Sequence, residues 1–284
     1  EIVFMKKIAI FFSFLLCVSC QNFGQLKIIT DLPKALKEVS GIEIATGSEY
    51  IWMINDSGNS TELFGLSEKG KIKKQIYLEK KNHDWEDLTS DEKGNIYIGD
   101  FGNNENKRRN LRILKIEKSD LSKKRVEAKK IEFEYEDQDD YSPKKEKMFF
   151  DAESFFYYKN NFYIFTKSRV EKKYGKTSLY KLPAKIGKHK AKLIAKFDNG
   201  KKKDSWITSA DISEDGKTVA LLSQKNILIF TEFKKDNFFS GSIREIELIH
   251  KTQKEAICFK NNNTLLLSDE KSSGKGGNLY EFKL

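Results

Sequence analysis

Apolar and polar positions along the chain repeat as sets of short strands. Each copy opens with an acidic or polar residue ahead of an apolar one, at 38–42, 84–88, 151–155, 208–212 and 253–257. An apolar strand follows roughly ten residues later, and a third strand follows that one. A period of about 40–50 residues that carries several short strands predicts the blades of a β-propeller.

A fourth strand with alternating apolar and polar residues follows the first four copies, which is typical of an outer strand with one wet face. The fifth copy ends at Leu284 without one. Segment 26–30 supplies the missing strand if it pairs into the last blade, and this pairing removes an open sheet edge. We therefore predict an all-β fold, a five-bladed β-propeller closed by the N-terminal strand. A six-bladed propeller is the alternative, with the extra blade in the charged segments 117–148 and 168–178.

The N-terminal residues predict processing and attachment. Lys6, Lys7 and the apolar run 8–16 are too short for a stable transmembrane helix and are typical of a secretory signal. The run leads into Cys17-Val-Ser-Cys20, which resembles the lipobox of bacterial lipoproteins, although Cys17 stands where Leu is preferred. The resemblance implies a lipid on Cys20, and ordinary signal cleavage is the alternative. We expect an upstream extension and signal peptide at 1–19, a lipid-anchored tether at 20–25 and a single β-propeller domain at 26–284.

These features predict a monomer in the bacterial cell envelope, anchored through the lipid on Cys20 to the membrane. The anchored protein would lie at the outer membrane or on the periplasmic or extracellular face. The formal net charge is +10, but only six of the 52 basic residues are Arg, and the lysines are spread through loops. Nucleic-acid recognition relies on clustered Arg and aromatic residues, so we expect no nucleic-acid partner. Cys258 alone lies in the globular part, and we expect it to be a buried, inert thiol.

Acidic residues recur at equivalent positions of the copies. Because the innermost strand of each blade lines the central channel, these positions converge at the channel mouth, with or without a bulge in the strand. The first column is Glu38, Asp84, Asp151, Thr208 and Gln253, and the second is Ser40, Glu86, Glu153, Ala210 and Glu255. A third set of acidic residues stands at the ends of the second strands: Asp56, Asp100 and Asp269. The sequence segments around them suit tight turns equally well.

Clustered carboxylates repel one another unless a cation joins them, and oxygen ligands favour Ca²⁺ or Mg²⁺. We therefore predict a divalent cation, Ca²⁺, at the channel mouth. The candidate ligands are Glu38, Asp56, Glu86, Asp100, Glu153, Glu255 and Asp269.

Other residues are weaker candidates. His83 and Glu153 are candidate catalytic residues, although His83 also suits an exposed loop. Lys167 and Arg169 either neutralise the acidic rim or bind an anionic ligand. Trp85 is a candidate for ligand stacking, although core packing is the usual role of Trp near an inner strand. The chain has no Gly-x-Ser-x-Gly, Walker or His-Glu-x-x-His motif, which excludes the common hydrolase, nucleotide and zinc-protease signatures.

The motifs at 38–42, 55–59, 85–88, 99–103, 151–154 and 254–257 resemble those of the SdiA-regulated (YjiK-like) β-propeller family and, more distantly, of phytase-like esterase propellers. The first resemblance implies a secreted or envelope-attached propeller. The second implies calcium ions that bind phosphate esters, with Glu38, Glu86, Asp100, Glu153 and Glu255 as ligands. We predict a lipoprotein that binds a small molecule or a protein at the mouth. The alternatives are a Ca-dependent phosphoesterase and a lactonase or lyase, as in gluconolactonase-like propellers.

Overall fold

The computed structural model describes residues 23–284, and the predicted signal segment and Cys20 lie outside this range. Residues 23–284 form β-strands and short 3-10 helices, and none of these helices has the length and apolar character that a membrane span requires. The all-β prediction is therefore confirmed. The 3-10 helices are Lys34–Leu36, Lys118–Ser122, Lys145–Lys147, Lys203–Ser205 and Phe238–Ser240.

The strands pair into antiparallel units of four, numbered here as blades 1 to 5 and given from the innermost strand outwards. Blade 1 contains β2 (Val39–Glu43), β3 (Ile51–Asn55), β4 (Glu62–Leu66) and β5 (Ile72–Leu78). Blade 2 contains β6 (Trp85–Ser90), β7 (Ile96–Asp100), β8 (Leu111–Ile116) and β10 (Lys129–Tyr135). Blade 3 contains β11 (Asp151–Tyr158), β12 (Asn161–Lys167), β13 (Lys176–Pro183) and β14 (Gly187–Asp198). Blade 4 contains β15 (Ile207–Ile212), β16 (Thr218–Ser223), β17 (Asn226–Thr231) and β18 (Ser242–Glu247). Blade 5 contains β19 (Lys254–Asn261), β20 (Thr264–Asp269), β21 (Asn278–Lys283) and β1 (Lys27–Asp31).

The innermost strands contact one another in the order β2, β6, β11, β15, β19 and back to β2. β1 pairs with β21, as predicted, so the N-terminal strand completes blade 5. The short strand β9 (Arg125–Val126) pairs parallel to β5, and β10 pairs parallel to β14 of the next blade. Segment 117–148 therefore adds outer strands to blades 1 and 2, and no further four-stranded unit is found in residues 23–284. The predicted propeller fold is confirmed.

The core consists of apolar clusters between neighbouring blades. In β3, Trp52 and Ile54 pack towards blade 2, whereas Ile51 and Met53 pack towards blade 5. Because alternate residues of a strand point to opposite faces, a strand covered on both faces is apolar throughout. Truncating a buried side chain such as that of Trp52 would cost roughly 3–5 kcal/mol of unfolding free energy.

Every innermost strand carries a β-bulge near its first residue. A bulge takes one residue out of the regular pairing and re-aims its side chain. In blade 4 the bulge residue is Thr208, whereas the sequence prediction placed Ala210 in this column. A shift of two residues keeps the alternation of faces, so periodicity alone did not reveal it. The bulge residues are Ser40, Glu86, Glu153, Thr208 and Glu255.

Candidate metal centre at the channel mouth

The mouth is the end of the channel at which the innermost strands begin, around the five bulge residues. Three carboxylates converge there: Asp56 follows β3, Asp84 precedes β6, and Glu86 is the bulge residue of β6. One oxygen of each lies within 4.8 Å of the others. Glu86 is buried, whereas Asp56 and Asp84 are partly exposed. This spacing allows one cation to contact all three side chains.

Gly102 leaves the space that this cluster occupies. A Cβ atom at position 102 would overlap Glu86 Oε1 and Asp84 Oδ2. The Gly102 N–H donates to the main-chain carbonyl oxygen of Asp84 at 3.2 Å, which holds the loop after β7 close to Asp84. The glycine is therefore required by a close approach of its backbone to two carboxylates.

The electrostatics of the three carboxylates show mutual repulsion. Burial, together with the charges of Asp84 and Glu153, raises the pKa of Asp56 to about 6. Burial and the charges of Glu153, Asp56 and Asp84 raise the pKa of Glu86 well above its usual range. Burial likewise raises the pKa of Asp84. A bound cation would relieve this repulsion and favour the ionised forms.

The blade 3 side of the mouth contains its own cations. Lys167 Nζ lies 2.8 Å from Glu153 Oε2, and Arg169 Nη2 lies 3.0 Å from Glu153 Oε1. Arg169 also pairs with Asp151. Burial raises the pKa of Glu153, but Lys167 and Arg169 outweigh this effect and lower the pKa overall. Lys167 and Arg169 therefore neutralise this part of the rim in the described structure.

Two further carboxylates lie beside this ion-pair group. Burial raises the pKa of Glu255 to about 8. The charge of Lys167 opposes this rise, and the charge of Glu153 adds to it. Burial and the charge of Asp56 raise the pKa of Glu270 to about 7. Glu38 lies at the exposed outer edge, where a hydrogen bond from Asn59 and an ion pair with Lys37 lower its pKa.

Asp100 and Asp269 are fully buried inside their blades and do not belong to the three-carboxylate cluster, although Asp100 accepts a hydrogen bond from the Asp84 N–H at 3.2 Å. Asp100 forms ion pairs with Arg108 at 3.0 Å and with Arg112 at 2.6 Å. Asp269 pairs with Lys254 at 3.2 Å and accepts a hydrogen bond from the Tyr280 hydroxyl at 2.7 Å.

Strand register explains why these two aspartates differ from Asp56. Asp100 pairs with Trp85, and Asp269 pairs with Lys254. The residue of blade 1 in this position is Asn55, which pairs with Val39, so Asp56 lies one residue further on. A difference of one residue turns a side chain to the opposite face of the sheet.

His83 and Trp85 also lie apart from the three carboxylates. His83 Nδ1 is 3.1 Å from Arg112 Nη2 and 3.9 Å from Asp100, and burial is the main cause of its lowered pKa. Trp85 is fully buried and packs in the apolar cluster between blades 1 and 2.

Sequence reasoning did not include Asp84, Gly102 or Glu270 among the candidate site residues. Asp84 belongs to the first acidic column, directly before β6 and two residues before Glu86. Asp269 and Asn55 hold the same position in the strand pairing of their blades. Glu270 follows Asp269 and Asp56 follows Asn55, so Glu270 is the blade 5 counterpart of Asp56.

No protein-family model and no curated protein matches the chain. The family resemblance drawn from the motifs therefore stays a prediction. Among solved structures, a gluconolactonase from Xanthomonas campestris is 9% identical with a TM-score of 0.50, over 91% of this chain and 89% of its own. Virginiamycin B lyase from Staphylococcus aureus is 13% identical with a TM-score of 0.43, over 89% of this chain and 68% of its own. At these identities, the likeness to the gluconolactonase supports the propeller fold alone.

Proposed function

We propose that this chain is a propeller that binds a divalent cation, Ca²⁺, at its mouth and holds an oxygen-rich small molecule or protein partner through that cation. The observation that carries the proposal is the convergence of Asp56, Asp84 and Glu86 beside Gly102. Carboxylate oxygens are the ligands that Ca²⁺ prefers, and partly exposed carboxylates leave room for a ligand on the cation.

The placement in the bacterial cell envelope belongs to the same proposal. It is supported by the signal-like run and by the lipobox resemblance that ends at Cys20. A lipid on Cys20 would hold the propeller close to a membrane surface, because few residues separate Cys20 from β1.

Calcium titration of the EDTA-treated protein, followed by thermal melting, tests the cation. We expect a higher melting temperature with calcium, because a ligand that binds only the folded state stabilises it. The matched variants are Glu86→Gln, which removes one ligand, and Glu43→Gln, which removes a carboxylate from the opposite end of the channel. The proposal fails if calcium has no effect on the wild type or acts equally on Glu86→Gln.

A metal-dependent hydrolase is the second candidate. It is favoured by Glu270, whose pKa of about 7 and electrostatic contact with Asp56 suit a general base beside a cation. The phosphoesterase and lactonase alternatives both belong to this class. Phosphate-ester and lactone turnover, measured with and without calcium in the wild type and in Glu270→Gln, tests it. Calcium-dependent turnover that is lost in Glu270→Gln would favour the enzyme over the binding protein.

A further inference from the structure

A cavity lies at the end of the channel opposite the mouth, where the innermost strands end. We call it the far cavity. Its volume is about 350 Å³, within the range of small-molecule sites, and all five blades contribute to its wall. Residues from the five blades include Glu43, Thr89, Tyr157, Asp211 and Phe259.

Five acidic residues line the far cavity, namely Glu43, Asp91, Glu92, Asp211 and Glu214, and the charges of two of them, Glu43 and Asp211, act on each other. Glu43 is only 8% exposed and accepts a hydrogen bond from the Ser90 hydroxyl at 3.1 Å. Asp211 accepts hydrogen bonds from the N–H groups of Phe259 at 2.6 Å and Ile212 at 2.8 Å. Burial and the charge of Asp211 raise the pKa of Glu43 well above its usual range, and burial raises that of Asp211 to about 7.

These carboxylates lack a cationic partner. Within residues 23–284, neither Glu43 nor Asp211 forms an ion pair with Lys, Arg or His. Lys260 is the basic residue among those that line the cavity, and its ammonium group pairs with Glu281 at 3.4 Å. Because an unpaired buried charge is costly, this wall favours either a proton or a cationic ligand.

The shape and lining of the cavity favour an organic cation over a metal ion. In the described range, the group of three or more metal-ligating side chains lies at the mouth and does not include Glu43 or Asp211. Tyr157, Tyr158 and Phe259 are among the residues that line the far cavity, and the Tyr157 ring stacks on that of Tyr97. Aromatic faces beside a carboxylate suit ammonium and guanidinium groups that carry an apolar body.

We propose that the far cavity binds a small organic cation, with a primary ammonium or guanidinium group against Glu43 and Asp211 and an apolar body against Tyr157 and Phe259. This site is independent of the mouth. A layer of buried residues separates the two ends of the channel. The layer consists of Gly41, Asp87, Ser154, Ser209 and Ala256.

Thermal melting with n-butylammonium chloride tests the proposal, in an amine-free buffer that contains EDTA, at pH 8.5. Controls are n-butanol, which has the same apolar body without the charge, and sodium chloride at equal ionic strength. We expect n-butylammonium to raise the melting temperature by about 3 °C at tenfold excess over its Kd. The same probe should have no effect on Glu43→Gln or Asp211→Asn and an unchanged effect on Glu86→Gln.

The proposal is overturned if n-butylammonium has no effect on the wild type, or acts equally on Glu43→Gln. It is also overturned if n-butanol gives the same rise, since the charge then plays no part. Glu43→Gln keeps an oxygen that accepts the Ser90 hydrogen bond, so the folded variant remains available for this comparison. We expect Glu86→Gln to lose calcium binding and to keep the effect of n-butylammonium, so failure of the proposed function is distinguishable from failure here.

Discussion

The two ends of the channel carry the same kind of charge in different settings. At the mouth, Glu153 is paired with Lys167 and Arg169, and a neighbouring cluster has the spacing of a cation site. At the far cavity, aromatic residues also contribute to the lining, and neither Glu43 nor Asp211 forms an ion pair within residues 23–284. The comparison shows that acidic residues alone do not define a site, and that their partners decide what ligand they favour.

The buried layer between the ends, here called the plug, is built on Asp87. This carboxylate accepts hydrogen bonds from the N–H of Leu88 at 2.9 Å, from the Ser209 hydroxyl at 3.1 Å and from the N–H of Phe155 at 3.4 Å. These bonds connect blade 2 to blades 3 and 4. On the blade 1 side, a Cβ at Gly41 would lie 2.8 Å from the Leu88 nitrogen, so the backbones approach closely.

The largest expected effect concerns the plug. Asp87→Ala leaves three buried donors without a partner and should lower the free energy of unfolding by about 3 kcal/mol. Urea denaturation measures this change. Asp87→Asn keeps an acceptor oxygen and should lose less. A loss of less than about 1 kcal/mol in Asp87→Ala would contradict the role of Asp87 in joining the blades.

The second largest expected effect is calcium stabilisation, which should depend on the mouth and not on the far cavity. Calcium at 100 times its Kd should stabilise the wild type and Glu43→Gln by about 2–3 kcal/mol and leave Glu86→Gln nearly unchanged. Denaturant unfolding with and without calcium measures the difference. Gly102→Ala should behave as Glu86→Gln does, because its methyl group occupies the space between the carboxylates. Equal calcium stabilisation of all variants would place the cation elsewhere.

The pH dependence of the EDTA-treated protein is the third test. The pKa values of Asp56, Asp151, Glu255 and Glu270 are raised to about 6, 7, 8 and 7. Between pH 5 and 8 these groups hold more protons in the folded state than in the unfolded state, so stability falls as the pH rises. Because solvent and neighbouring charges screen these groups, we expect a loss on the order of 1–3 kcal/mol, and calcium should reverse the part of it that comes from Asp56 at pH 8. A stability that rises over this range would contradict the repulsion described at the mouth.

The smallest expected effect lies at the far cavity. Glu43→Gln removes one of two carboxylates that repel each other, so at pH 8.5 without an organic cation it should stabilise the protein by about 0.5–1 kcal/mol. Lys167→Gln is the matched change at the mouth, and it should destabilise the protein because Glu153 loses a cationic partner. Urea denaturation of both variants checks the opposite signs. Destabilisation by Glu43→Gln would indicate that its charge already has a partner.

The propeller, the pairing of β1 into the last blade and the inner position of the acidic columns all follow from periodic apolar strands. The apolar pattern does not predict which acidic residues lie at the mouth and which lie inside the blades. Asp56 and Asp100 occur in similar phrases, yet Asn55 and not Asp56 corresponds to Asp100 in the ladder. Register depends on pairing between strands, which a sequence pattern does not specify to one residue.

The far cavity was not predicted, because Glu43 and Asp211 belong to different copies and different positions of the apolar pattern. In the structure, each of them lies three residues after the bulge residue of its strand. Likewise, the pairing of Lys167 and Arg169 with Glu153 and Asp151 depends on the bulge and the loop after β12. Sequence reasoning left open whether these cations neutralise the rim or bind a ligand.

Anomalous diffraction from a crystal soaked in calcium tests the central claim most directly, because it locates the cation. We predict one peak at about 2.3–2.6 Å from oxygens of Asp56, Asp84 and Glu86, and no peak in crystals of Glu86→Gln. A wild-type crystal without a peak between these carboxylates, or with calcium bound only at other residues, would contradict the account.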